Sequence, residues 1–157
     1  MRLREFFQLD AIDLHLRGAT KDEVLKELVA LLHIDEKSET ILFKMLKRRE
    51  NLGTTGIGRC VAIPHCRSLV MQQLRVAYGR KPGGVDFAAI DDQPVHHLFL
   101  IVAPPLEISY LPVLGKIAQF ARQADVIEQL NAVRSAEEFL ALLDARPPLD
   151  DRTPGPS

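Results

Sequence analysis

Leu98-Phe99-Leu100-Ile101-Val102-Ala103 is the longest apolar run in the chain, six residues closed by Pro104-Pro105. A strand with one wet face alternates; an unbroken apolar strand, read here from His97 to Val102, is buried on both faces. Burying both faces demands neighbouring strands and helices above and below. That requirement constrains the fold more than any other feature. The run falls far short of the about 20 residues that cross a bilayer. The N-terminus, MRLREFFQLD, is charged throughout and has no apolar signal core. The expectation is a cytoplasmic chain without direct membrane insertion. His96 and His97 read as the polar entrance to the strand.

The rest supplies both kinds of element. Residues 1–10 read as a short helix or turn packing Leu3, Phe6 and Phe7, and Ala11 to Leu16 alternates as a strand. Thr20 with Glu23 is a capping box opening a helix to about Leu32, with Val24, Leu25, Leu28, Leu31 and Leu32 inward. A second helix follows Asp35, with Ile41, Leu42, Met45 and Leu46 inward, and stops near Gly53. Val61 to Ile63 is a short strand that Pro64 ends. Leu74 to Arg80 is another, with Lys81-Pro82-Gly83-Gly84 as its turn, and Val85 to Phe87 reads as an edge strand. Asp91-Asp92-Gln93-Pro94 is a turn. Leu111, Leu114, Ile117, Ala118 and Ala121 give one helix face, with Pro112 tolerated in the first turn. Val126 to Leu130 supports a short helix, and Ser135 with Glu138 caps a final one. The expected fold is a layered α/β domain over residues 1–144. Four prolines and mostly polar residues make 145–157 a disordered tail.

Chemistry concentrates between Arg48 and Arg67. Gly53, Gly56 and Gly58 form a loop whose backbone N–H groups can approach an anion, and Thr54 and Thr55 can add hydroxyl donors. Arg49 and Arg67 offer planar, permanently charged donors that match phosphate oxygens. His65 follows Pro64, which should turn its imidazole away from the sheet. With a reference pKa of ~6.5 the ring is partly neutral at neutral pH and can act as a nucleophile. These parts describe a phosphohistidine site better than an acid–base dyad. The Gly-rich loop by itself is weak evidence, matching neither dinucleotide nor Walker patterns. A net charge of -1 gives no case for nucleic acid. Cys60 and Cys66 read as reduced thiols, and Cys-x5-Cys is not a zinc spacing. No metal or cofactor is implied.

The stretch Arg49-Glu50, Leu52-Gly53-Thr54-Thr55-Gly56-Ile57-Gly58 and Val61-Ala62-Ile63-Pro64-His65 closely resembles the signature of fructose/mannitol-type IIA components of the bacterial phosphoenolpyruvate-dependent sugar phosphotransferase system. Residues Ile90 to Val95 look most like the nitrogen-regulatory branch. The resemblance implies a three-layer α/β/α sandwich with a mixed sheet. It implies that His65 accepts a phosphoryl group from an HPr-like carrier, with Arg49 binding phosphate. In the regulatory branch the phosphorylation state then controls partner proteins, in nitrogen or potassium regulation; in the sugar branch the group passes to a IIB cysteine. The family is a histidine phosphoryl carrier, not an independent metabolic enzyme, and the chain reads as a stand-alone IIA. Exposed apolar residues near the site are expected to dock the carrier.

Two positions depart from the family pattern. A second histidine, usual in a His-Leu pair after the central strand, is here Tyr110-Leu111. Tyr110 can hydrogen-bond to phosphate or to His65 but cannot carry positive charge. Cys66 stands where the family commonly has glycine. Three readings follow: a regulatory IIA, a sugar-specific IIA with a separate IIB, or a binding module that no longer carries phosphate.

Overall fold

The computed structural model describes residues 2–146. The tail expected from 145 lies outside the described residues from 147 onward, and the last helix ends at Ala145. Leu3–Phe6 is a 3-10 turn leading into β1 (Phe7–Asp13). Helix α1 (Lys21–Ala30) and α2 (Glu36–Leu52) follow, then the short strands β2 (Gly56–Gly58), β3 (Val61–Ala62) and β4 (His65–Arg67). The long strands β5 (Arg75–Val85) and β6 (Val95–Ala103) come next, and α3 (Tyr110–Arg122), α4 (Val126–Ala132) and α5 (Ala136–Ala145) complete the order.

The strands form one mixed sheet ordered β1-β5-β6-β3-β2, with β4 also paired to β6. Strand β6 is the central element. Its residues Phe99, Ile101 and Ala103 enter an apolar layer with Val113, Ile117, Phe120, Phe139 and Leu143 from α3 and α5. Its alternate residues Leu98, Leu100 and Val102 enter a second layer with Val24, Leu25, Leu28, Leu42 and Leu46 from α1 and α2. The two-sided burial expected of this strand is what makes the molecule a three-layer α/β/α sandwich.

Local signals hold at the helix ends. Thr20 accepts from the Glu23 amide while Glu23 reaches back to the Thr20 amide, and Ser135 accepts from the Glu138 amide at 3.1 Å. The Gly53 amide closes α2 on the Glu50 carbonyl at 3.1 Å.

Several expectations need correction. Strand β1 begins at Phe7, not Ala11, because parallel pairing with β5 already starts at Phe7 opposite Val76. The Lys81-Pro82-Gly83-Gly84 turn is a bulge inside β5: pairing with β6 is interrupted between Arg80 and Val85, then resumes at Val85 opposite Val95. Proline is tolerated there because a bulge leaves its missing N–H unneeded. The separate edge strand is therefore the end of β5. Ile41 and Leu111, expected inward, lie on the solvent side of their helices. His97 is not a polar entrance; it is fully buried.

Candidate functional site

Pro64 interrupts the β3–β4 line without ending it. Val61 and Ala62 pair with His97 and Leu98, and after the proline His65, Cys66 and Arg67 pair in parallel with Ile101, Val102 and Ala103. The expected exit of His65 from the sheet is corrected: it stays in the ladder as the first residue of β4. Strand alternation still decides where it points. Cys66 packs into the α1/α2 layer, while His65 turns to the opposite face, its ring centroid 6.1 Å from that of Tyr110.

The ring of His65 is held by one bond. Its Nδ1 lies 2.7 Å from the Ile63 carbonyl. A carbonyl only accepts, so Nδ1 carries the proton and the neutral ring presents a lone pair at Nε2. Burial is the main cause that lowers the pKa of this half-buried imidazole below its ordinary value; the Ile63 bond opposes it, the Arg49 charge reinforces it, and Glu50 opposes it. A neutral, singly tethered imidazole is a nucleophile with its reactive nitrogen fixed in direction.

The cations converge on the same place. Arg49, in the last turn of α2, donates to the Gly53 carbonyl at 2.7 Å, and its charge is felt by both His65 and Tyr110. Arg67 lies over the Tyr110 ring, 4.4 Å from its centroid, and donates to the carbonyls of Pro105 and Glu107 at 2.7 and 3.0 Å. It thereby ties the β6–α3 loop to β4. Tyr110 is buried at the start of α3, and its phenol is pushed up to about 12, chiefly by burial. It stays protonated, an uncharged donor.

The two threonine hydroxyls already have partners within the protein. Thr54 donates its hydroxyl to the Phe87 carbonyl at 2.8 Å and accepts from the Gly56 amide at 3.0 Å. Thr55 gives its amide to Glu50 at 3.0 Å and its hydroxyl to the other carboxylate oxygen. In this structure both hydroxyls hold the loop. Glu50 itself is buried and paired with Lys21 at 2.8 Å. In the sequence Glu50 stood out only as part of the family signature; Lys21, twenty-nine residues upstream, gave no signal. The glycines serve the same loop. A Cβ at Gly56 would meet that of Ala89 at 2.8 Å, and Gly58 adopts φ +90°.

Cys66 is buried, its thiol pushed up to about 12 by desolvation. It is an inert core residue. Among the described residues no group of three or more His, Cys, Asp or Glu is placed to hold a metal ion, and no helix is long and apolar enough to cross a membrane.

A mixed three-layer sandwich presenting a tethered histidine beside Tyr110, with Arg49 and Arg67 both acting on that tyrosine, defines a class, and comparison with known proteins gives it a family. Residues 5–146 match the family model described as phosphoenolpyruvate-dependent sugar phosphotransferase system, EIIA 2. The chain belongs to that family. It is 33% identical over 150 residues to a nitrogen regulatory protein of Bradyrhizobium diazoefficiens, covering 94% of this chain and 97% of the relative. The crystal structure of nitrogen regulatory protein IIA-Ntr from Neisseria meningitidis superimposes with a TM-score of 0.82 at 35% identity, covering 88% of this chain and 97% of that one. The mannitol IIA enzyme of Escherichia coli, solved in complex with phosphorylated mannitol IIB enzyme, gives a TM-score of 0.72 at 26% identity, covering 89% and 99%.

Proposed function

We propose that this chain is a cytoplasmic regulatory IIA protein that accepts a phosphoryl group on Nε2 of His65 from the phosphohistidine of an HPr-like carrier. The observation that carries the reading is the 2.7 Å bond from Nδ1 to Ile63, which leaves Nε2 as the free nitrogen. Its lone pair attacks the donor's phosphorus; the Nε2–P bond forms as the donor's N–P bond breaks, and that electron pair returns to the donor's imidazole. Nδ1–H remains on the Ile63 carbonyl throughout, so the positive charge developing on the ring is shared with that acceptor. Arg49 and Arg67 neutralise the phosphoryl oxygens, and Tyr110 donates a neutral hydrogen bond.

Exposed Leu106, Ile108 and Leu111 adjoin Tyr110 in the chain, and Leu69 lies two residues beyond Arg67. They form the apolar surface on which a carrier would dock. The regulatory output is favoured by the end-to-end match to nitrogen regulatory proteins. Transfer to a IIB cysteine is the second reading, favoured by the likeness to the mannitol IIA enzyme.

Incubation with phosphoenolpyruvate, enzyme I and an HPr-like carrier is expected to give an acid-labile, alkali-stable label that His65→Ala abolishes. Persistent labelling of that variant would refute the site. Adding a fructose or mannitol IIB protein then separates the branches: retained label supports the regulator, and label moved to a IIB cysteine supports sugar transport.

A further inference from the structure

A second cleft, of about 480 Å³, opens where β6 begins, between the β5 bulge and α4. His97 sits here, four residues along β6 from the partner of His65, a separation of about 13 Å at ~3.3 Å per residue. The cleft is therefore separate from the site around His65.

Arg80 is the unusual residue in its wall. It is 92% buried, the complement of its 8% exposure, yet among the described residues no carboxylate lines the cleft or pairs with it. Its Nη1 donates to the carbonyls of Leu130, Asn131 and Val133 at 2.7, 3.2 and 2.8 Å, and its Nε to that of Leu14 at 3.2 Å. Those bonds fix the guanidinium plane and use one face of the fork. Among the described residues Nη2 has no acceptor, and the guanidinium's full charge has no counter-ion. A buried cation in that condition is stabilised by any anion that reaches it.

A relay beside it sets a second donor. Tyr78 Oη lies 2.7 Å from His97 Nδ1, and His97 Nε2 lies 2.9 Å from Asn131 Oδ1. The amide oxygen only accepts, so Nε2 carries the proton and Nδ1 accepts from the tyrosine. Burial drives the pKa of His97 down to about 4, which keeps the ring neutral and the relay in this sense. With its oxygen engaged, Asn131 has its Nδ2 hydrogens left to give. His96 is anchored through Nδ1 to the carbonyls of Lys81 and Pro82 at 3.0 and 3.1 Å, leaving Nε2 free. Exposed His15 completes the titratable rim, while Pro82 and Ile127 supply apolar wall. The histidines and Cys60 do not converge on a metal site.

We propose that this cleft binds a small organic oxyanion, with its carboxylate or phosphate head on Arg80 Nη2 and Asn131 Nδ2 and its body against Pro82 and Ile127. The volume is within the ~300–1,000 Å³ of ordinary small-molecule sites. The binding is independent of phosphorylation at His65.

Two probes at matched ionic strength, inorganic phosphate and succinate, distinguish the head groups in amide and side-chain NMR titrations of the full chain. Saturable shifts at the Asn131 side chain, Arg80 Nε–H and the amides of His96 and His97 are expected. Response to phosphate alone assigns a phosphorylated ligand, response to succinate alone an organic acid, and response to both the shared oxyanion chemistry. Asn131→Asp keeps the acceptor for His97 but places a carboxylate beside Arg80, and should weaken binding by about tenfold or more, about 1.4 kcal/mol. His65→Ala should leave it unchanged. Absence of saturable shifts with both probes at millimolar concentration, shifts confined to Arg49, His65 and Arg67, or unaltered affinity in a folded Asn131→Asp protein would each overturn the proposal.

Discussion

Tyr110 and His65 face each other, ring centroids 6.1 Å apart, where the family resemblance implies a second histidine, and a tyrosine there changes the chemistry in a definite direction. The phenol is held protonated, near about 12, by burial, so it offers a hydrogen bond without charge. Tyr110→Phe keeps the ring against Arg67 and should alter stability by less than about 1 kcal/mol. It should hasten loss of phosphoryl from His65 by roughly tenfold, the equivalent of about 1.5 kcal/mol for one hydrogen bond to a charged acceptor. The measurement is the decay of label at constant pH; an unchanged half-life would remove Tyr110 from the site. The second residue-scale expectation concerns acid. In the unfolded chain His97 titrates near ~6.5, in the fold at about 4. Below the higher value the unfolded state takes a proton that the folded state refuses, so stability falls as pH drops through that window. Between pH 7 and 5 the loss is about 2 kcal/mol, at ~1.36 kcal/mol per unit. Urea midpoints at the two pH values, with an NMR titration of the His97 ring, check both the sign and the group. His65, its pKa also lowered, loses its nucleophilic form only in the acid direction, so phosphoryl acceptance should stay flat down to the ordinary ~6.5 of a histidine and fall only at lower pH.

At the scale of elements, the loop between α2 and β3 is built from the buried carboxylate of Glu50 outward. Glu50 receives the amide and hydroxyl of Thr55 and pairs with Lys21 from α1; Thr54 ties the same loop to Phe87. Glu50→Ala removes the acceptor of three donors and leaves the Lys21 ammonium half-buried, and is expected to cost about 3 kcal/mol. Because Arg49 sits next to it, the substitution should also slow phosphorylation of His65, though no atom of Glu50 is assigned to the reaction. Denaturant titration together with labelling kinetics tests the two effects separately. Sequence patterns were strongest for this class of feature: the caps at Thr20 and Ser135, and the Gly53 stop, are short-range devices whose donor and acceptor lie within four residues. The partners of the threonine hydroxyls were not legible in the sequence: that of Thr55 lies five residues back at Glu50, and that of Thr54 is set by the fold. Phe87 is thirty-three residues from Thr54, and no local rule says which of an available carbonyl and an incoming anion a hydroxyl will choose. The β5 bulge was misread as a turn for a related reason, since Pro82-Gly83-Gly84 is compatible with both and only pairing of Val85 with Val95 discriminates.

For the whole molecule, the α3/α5 layer carries an aromatic cluster in which Phe139 stacks on Tyr78 at 4.2 Å and meets Phe7 edge-on at 5.3 Å. Phe139→Ala should cost about 4 kcal/mol and lower the melting temperature by about 10 °C at this chain length; calorimetry is the check, and a shift of a degree or two would mean that α5 is not locked onto the sheet as drawn. The sequence alone determined that β6 must lie in the middle of a sandwich, because an unbroken apolar strand leaves no face for water. It also determined the helix ends and the family, and it singled out His65, Arg49 and Arg67 within one continuous stretch. Tertiary structure decided the rest: which nitrogen of His65 is free, that Tyr110 lies across from it, that Thr54 and Thr55 are spoken for, and that Arg80, His97 and Asn131 share one cleft. The division has a physical cause. Periodicity and capping are written in neighbouring residues, whereas the direction of a proton or the partner of a buried charge depends on groups that only the closed sheet and its two helical layers bring within about 3 Å of each other.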